Sequence, residues 1–166
     1  MRRPVPVPPG PGQESVWDYP RPPAIRPCAR HIRVIHRGVT VVDTTAALKV
    51  CETSQLPAYY LPPGDVRMDL FVPSPHRSHC EWKGAAGYWS LVVPGEPPEA
   101  DVAWSYEDPT PAFAAIRGHL ALYAARVDGC WVGDDRVEPN PGGFYGGWWT
   151  PDVVGPFKGG PGSSWW

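Results

Sequence analysis

Gly87-Tyr88-Trp89-Ser90-Leu91-Val92-Val93, followed by Pro94-Gly95-Glu96-Pro97-Pro98 and then Asp101-Val102-Ala103-Trp104-Ser105-Tyr106, is the stretch that decides the fold. The first segment is rich in the aromatic and β-branched residues that suit a pleated, half-buried surface. The middle segment concentrates turn formers, and the last alternates in character. Two strands around a Pro/Gly turn predict a β-hairpin.

Working outward, Ile32, Val34 and Ile35 with Val39, Val41 and Val42 flank Arg37-Gly38 and predict a second hairpin, with glycine at the tight position. Ala47-Leu48-Lys49-Val50-Cys51 predicts a further strand. Ala58-Tyr59-Tyr60-Leu61 is held extended by its aromatics and flanking prolines. His119 to Tyr123 and Val127 to Val132 supply the last two strands, and an Asp134-Asp135 turn leads into Arg136-Val137-Glu138. Helical signals are few. Asp65 is placed to cap one turn carrying Val66 and Leu70, which Pro73 and Pro75 end. Thr110-Pro111 offers a cap and a first-turn proline for Ala112 to Arg117, which Gly118 stops. The expectation is a mainly β fold: a compact single-domain sandwich or small barrel of about eight short strands with one or two short helices.

The chain has 166 residues, enough to bury roughly 70% of the surface its unfolded form exposes without help from a disulfide or metal. Its 24 prolines and 18 glycines concentrate at the ends. Residues 1–28 hold nine prolines and predict an extended arm, ordered in part at most, with one sticky spot at Val16-Trp17-Asp18-Tyr19. Residues 29–166 form the domain. Its tail, 139–166, has 13 Gly or Pro residues but also four Trp, and such aromatic area predicts that the tail lies against the domain.

A net charge of −2, from 15 basic and 17 acidic residues, provides no sign-biased field, which excludes a general nucleic-acid or anionic-membrane binder. No run approaches the ~20 apolar residues of a membrane helix. Met1-Arg2-Arg3 is followed by prolines instead of an apolar signal segment, so the expected location is cytoplasmic. Cys28, Cys51, Cys80 and Cys130 would then stay reduced.

Several strings in the middle and at the end of the chain belong together. They are Glu52-Thr53-Ser54, Ala58-Tyr59-Tyr60-Leu61-Pro62, Asp65-Val66, Ser78-His79-Cys80-Glu81-Trp82-Lys83-Gly84, Tyr88-Trp89 and Ala103-Trp104-Ser105-Tyr106. The close adds Gly146-Gly147-Trp148-Trp149-Thr150-Pro151 and Gly155-Pro156-Phe157-Lys158-Gly159-Gly160-Pro161-Gly162. Over about residues 31–166 the chain resembles the bacterial and fungal family called domain of unknown function 427. In that family's Cys-Pro-aromatic-Lys-Gly pattern, Glu81 takes the place of the proline. The resemblance implies a compact β-rich domain without a settled activity, under a nucleotidyltransferase-type label. The residues do not carry that chemistry. Gly155 to Gly160 is no phosphate-binding P-loop, because its lysine precedes the last glycines and no strand–helix frame surrounds it. Asp134 and Asp135 are adjacent, so on extended chain they face opposite ways.

Three patches remain. His76, His79 and Cys80 include metal-ligand types, but the spacing provides no fourth ligand, and no metal or cofactor is expected. Cys80, with Lys83 and His79 as tuners, is a candidate nucleophile or redox thiol. The aromatic surplus predicts a small-molecule pocket near Tyr60, Trp82, Trp104 and Tyr106, with Glu52 and Asp65 on its polar rim. The leading expectation is a small-molecule-binding module, with thiol enzyme chemistry and protein interaction through residues 1–28 as the alternatives.

Overall fold

The computed structural model describes residues 3–141 and 143–166 and is mainly β. Ten strands carry the fold: β1 (Ala24–Cys28), β2 (Ile32–His36), β3 (Val39–Thr44), β4 (Ala47–Cys51), β5 (Ala58–Tyr60), β6 (Phe71–Cys80), β7 (Gly84–Leu91), β8 (Glu99–Ser105), β9 (Ala121–Leu122) and β10 (Gly129–Val132). They form a four-stranded sheet in the order β9-β8-β7-β6 and a three-stranded sheet β1-β4-β5. A second four-stranded sheet runs from Asp135–Arg136 through β10 and β2 to β3. All these pairings are antiparallel, and the sheets stack in a sandwich-like arrangement without a closed barrel.

Both expected hairpins form. Arg37 and Gly38 both adopt positive φ, 49° and 76°, the geometry of a two-residue turn that matches strand twist. Strand β6 was not expected from the sequence. It runs straight through Pro73 and Pro75, although proline chemistry predicts a stop there. An edge strand can carry residues without an N–H, because its outer side has no ladder to complete. The strand also shifts register between Ser74 and Arg77, which absorbs the irregularity. Strand β1 extends the ordered sheet three-stranded into the proline-rich arm, and Pro27 is tolerated there because β1 too lies at an edge.

The helical segments are all short 3₁₀ turns. The expected turn after Asp65 is split into Pro63–Asp65 and Met68–Leu70. Thr110 does precede the turn Pro111–Ile116, but its side chain makes no capping bond; the hydroxyl donates to Trp82 O at 2.6 Å instead. Among the described residues no helix is long and apolar enough to cross a membrane.

The main core joins β2–β3 residues Ile32, Val34, Val41 and Val42 to Leu91, Val102, Leu120 and Leu122. Trp148 completes it from the tail. Its indole is buried and stacks on Tyr59 with centroids 5.1 Å apart and planes at 25°. Its Nε1–H donates to Leu122 O at 2.9 Å, satisfying the one polar atom the ring brings inside. Strand alternation then sends the next residue of β5, Tyr60, to the opposite side, into a second cluster with Trp104, Tyr106 and Phe113. The two sides are tied by reciprocal bonds between Leu61 and Leu120, at 2.7 and 2.9 Å.

The arm and the tail meet on the domain. Glu14–Ser15 pairs in parallel with Val153–Val154, and Trp17 Nε1 donates to Pro156 O at 3.0 Å. Val16, Tyr19, Cys51, Leu56 and Val153 form a third buried cluster beneath them. Glu14 is the polar hub: its Oε1 accepts from Tyr19 Oη at 2.9 Å and from Lys49 Nζ at 2.8 Å, and Arg26 lies 3.4 Å from Oε2. Partial burial pushes the carboxyl pKa up, but the hydrogen bonds from Lys49 and Tyr19 and the nearby cations outweigh it, leaving the pKa below its ordinary value.

Two outcomes follow from this packing. Trp148→Ala should cost roughly 3–5 kcal/mol in urea unfolding, since it removes a buried ring and orphans Leu122 O. A carboxyl with a depressed folded-state pKa contributes stability above its unfolded pKa and loses it as pH falls through the folded one. Glu14→Gln should therefore lower the melting temperature at neutral pH, and the gap to wild type should close as the solution is acidified through the carboxylate range.

Candidate functional site

A cleft of about 680 Å³ opens beside the second cluster, where β4 and β5, the β6–β7 hairpin, β8 and the tail converge. Pleat alternation supplies its first wall. His76, Ser78 and Cys80 share one face of β6, and across the ladder Tyr88 of β7 packs its ring 4.3 Å from the His76 ring. The Tyr88 hydroxyl is 2.9 Å from Ser78 Oγ. Tyr88 is in turn paired in register with Trp104 of β8, and Tyr106 follows two residues later on the same side.

Trp104 is the centre of the ring set. Its Nε1–H donates to the Tyr60 hydroxyl at 3.2 Å, with the two rings edge to face. Tyr123 lies 4.7 Å from it, centroid to centroid. Burial pushes the Tyr60 and Tyr106 phenols far above their ordinary pKa, and that of Tyr123 up to about 12. These hydroxyls are therefore neutral across the physiological range and act as hydrogen-bonding groups rather than charges.

The hairpin tip brings in Trp82 and Lys83. The turn needs Gly84 at φ 103°, a conformation costly for any side chain. Two bonds from one residue hold it in place: Thr110 Oγ1 to Trp82 O at 2.6 Å and Thr110 N to Lys83 O at 3.0 Å. Lys83 Nζ lies 5.8 Å from the centre of the Tyr106 ring. Glu52 lines the cleft from the end of β4, and Arg21 of the arm holds its carboxylate at 3.2 Å.

Of the residues singled out from sequence, Cys80, Lys83, His79, Glu52, Tyr60, Trp82, Trp104 and Tyr106 all line this one cleft. Asp65 does not. It is exposed on the turn Pro63–Asp65, where it accepts from Thr44 Oγ1 at 2.7 Å, because the chain between Leu61 and β6 turns away over β3. Cys80 is half-buried, and among the described residues its thiol makes no hydrogen bond to His79, Lys83 or any carboxylate. No group of three or more His, Cys, Asp or Glu side chains is arranged to hold a metal ion among the described residues.

The sequence reading missed Tyr123, Arg126, Asp101 and the tail residues Phe144, Tyr145 and Lys158. Arg126 stacks on Tyr123 at 4.0 Å and donates to Asp101 O at 2.5 Å and Gly143 O at 3.5 Å, bridging sheet and tail. The available signal was the pair Phe144-Tyr145 directly before Gly146-Gly147: aromatics next to residues that permit close approach. That approach is real, since a Cβ at Gly146 would run into the six-membered ring of Trp104. The glycine-rich segment after it is a tight turn. Lys158 N donates to Ser54 O at 2.7 Å and Gly159 N to Ser163 Oγ at 2.8 Å, and Phe157 packs on the third cluster.

Residues 24–133 match the family model described as a domain of unknown function (DUF427), about two thirds of the chain. The chain belongs to that family. Within this DUF427 chain the matched segment supplies both strand walls and the hairpin tip, whereas Phe144, Tyr145 and Lys158 come from the tail beyond it. Among curated proteins, none matches the sequence.

Gly146→Ala should push Trp104 or the tail out of place and cost about 1–3 kcal/mol in chemical unfolding. Gly160→Ala, where an added Cβ meets nothing within 4 Å, should stay within about 0.5 kcal/mol of wild type.

Proposed function

We propose that this DUF427 domain is a small-molecule-binding module and that the aromatic cleft is its binding site. The observation that carries this reading is the convergence of Tyr60, Trp82, Tyr88, Trp104, Tyr106 and Tyr123 from four separate segments around one opening. Its volume of about 680 Å³ suits a drug-sized molecule, whose pockets span roughly 300–1,000 Å³. A chain that used these rings only as core would close over them. Here Trp82, Tyr88 and Tyr123 remain half-exposed and polar groups stand beside them, the mixture that orients a flat ligand.

Trp82 is the ring to test, because it sits at the hairpin tip and is only partly buried. In a fragment screen read by ligand-observed NMR, flat aromatic fragments should bind the wild-type chain. Trp82→Ala should weaken their binding about tenfold while circular dichroism and the melting temperature stay near wild type. If the variant binds the same fragments as well as wild type, the cleft is not the site.

A further inference from the structure

We infer that the ligand of the cleft is an aromatic anion, a flat ring system bearing a carboxylate or phosphate group; this rests on the binding reading above and adds the charge class to it. The chain has three lysines, and two of them, Lys83 and Lys158, line the cleft. The third, Lys49, is neutralised by Glu14 at 2.8 Å. Lys83, Lys158 and the cleft arginine, Arg126, have no carboxylate within 4.0 Å among the described residues. In a molecule with more acidic than basic residues, three uncompensated cations around one cavity are a local reversal of the overall charge.

Rings of this kind also suit a cage for a cationic ligand, and the geometry argues against it. A cation binds an aromatic cage through the ring faces. On three of the cleft's rings those positions are already occupied by the chain's own cations: Arg126 over Tyr123 at 4.0 Å, Lys158 over Tyr145 at 5.5 Å and Lys83 over Tyr106 at 5.8 Å. A second cation would meet like charge at each of these rings, whereas an anion would meet a donor.

The cleft's carboxylates offset these cations only in part: with Glu52 compensated from outside, Asp101 and Glu81 still leave one positive charge in excess. Glu52 is held by Arg21 at 3.2 Å. Asp101 lines the cleft with one oxygen, Oδ1, sealed from solvent and with no cation within 4.0 Å of its carboxylate among the described residues. Glu81 is exposed at the hairpin tip. Arg126 is also pre-positioned. Its bonds to Asp101 O and Gly143 O use two of its five N–H donors, fix the guanidinium plane and leave donors for an oxyanion.

Four probes of one shape test the assignment by isothermal titration calorimetry on the full chain: 2-naphthoate, 2-naphthyl phosphate, neutral 2-naphthamide and cationic 2-naphthylmethylammonium. At least one anion should bind about tenfold or more tightly than the amide, with the ammonium weakest. The stronger of the two anions identifies the head group. The advantage of the anion over the amide should shrink in Lys83→Gln and in Lys158→Gln, and return in Lys83→Arg. It should also shrink in the unaltered protein as salt is raised from about 20 to about 300 mM, a readout independent of any variant's folding. If the amide or the ammonium binds as tightly as both anions, the charge assignment is overturned while the binding reading stands. If none of the four binds, both fall.

Discussion

The indole of Trp148 is the contact on which the rest of the molecule depends. It brings a large apolar face into the main core, lies flat on Tyr59, and leaves no polar atom unpaired because Leu122 O takes its N–H. The backbone amide of the same residue donates to Pro57 O at 2.9 Å. A tail with so many glycines and prolines has little propensity for order, so ordering it must be offset by burial at a few points, and this is the largest side chain among them. With Trp148 seated, the two residues before it have no freedom of position. Gly147 presses its backbone on Leu56, and Gly146 lies against Trp104. Phe144 and Tyr145 are thereby carried to the mouth of the cleft.

The cleft and the core are therefore not separable features. Trp104 and Tyr60 are buried members of the second cluster and also line the opening, so the same rings contribute to stability and form the inner wall of the cleft. The arm adds to this coupling. Arg21 compensates Glu52, and the neighbouring Thr53 hydroxyl donates to Tyr19 O at 2.5 Å, so the arm's docking helps set the charge that the cleft displays. Arm and tail in turn hold each other through Glu14–Ser15 and Val153–Val154. Segments that look peripheral by composition close the structure around its aromatic cleft.

Much of the architecture was legible residue by residue. Arg37-Gly38 and the Pro94 to Pro98 turn announce their hairpins because turn chemistry is local. Tyr59 and Tyr60 point to opposite clusters because strand geometry alternates with a period of two. Strand β6 was hidden because Pro73 and Pro75 read as breakers, and their tolerance depends on lying at a sheet edge, a fact of strand order. Thr110 read as a cap because its sequence context is that of one. The nearby carbonyl of Trp82, 28 residues away in the chain, competes for the same hydroxyl. Asp65 is near Tyr60 in the sequence but not in space, since the turns after Leu61 lead the chain away from the cleft.

Properties set by near neighbours are written in the chain itself: the β-rich class, the hairpins, the family, and the list of rings and polar groups from which a pocket could be made. Which of those groups meet is settled by the folded arrangement alone. Register between β7 and β8 puts Tyr88 beside Trp104, and the path of the tail brings Lys158 to the same opening as Lys83, 75 residues earlier in the numbering. Pairing of charges is decided at that level too, because a lysine is neutralised or left free by what lies within a few ångströms in space. Local periodicity carries no information about such distances, and the electrostatics of the cleft could be read only once the chain was folded.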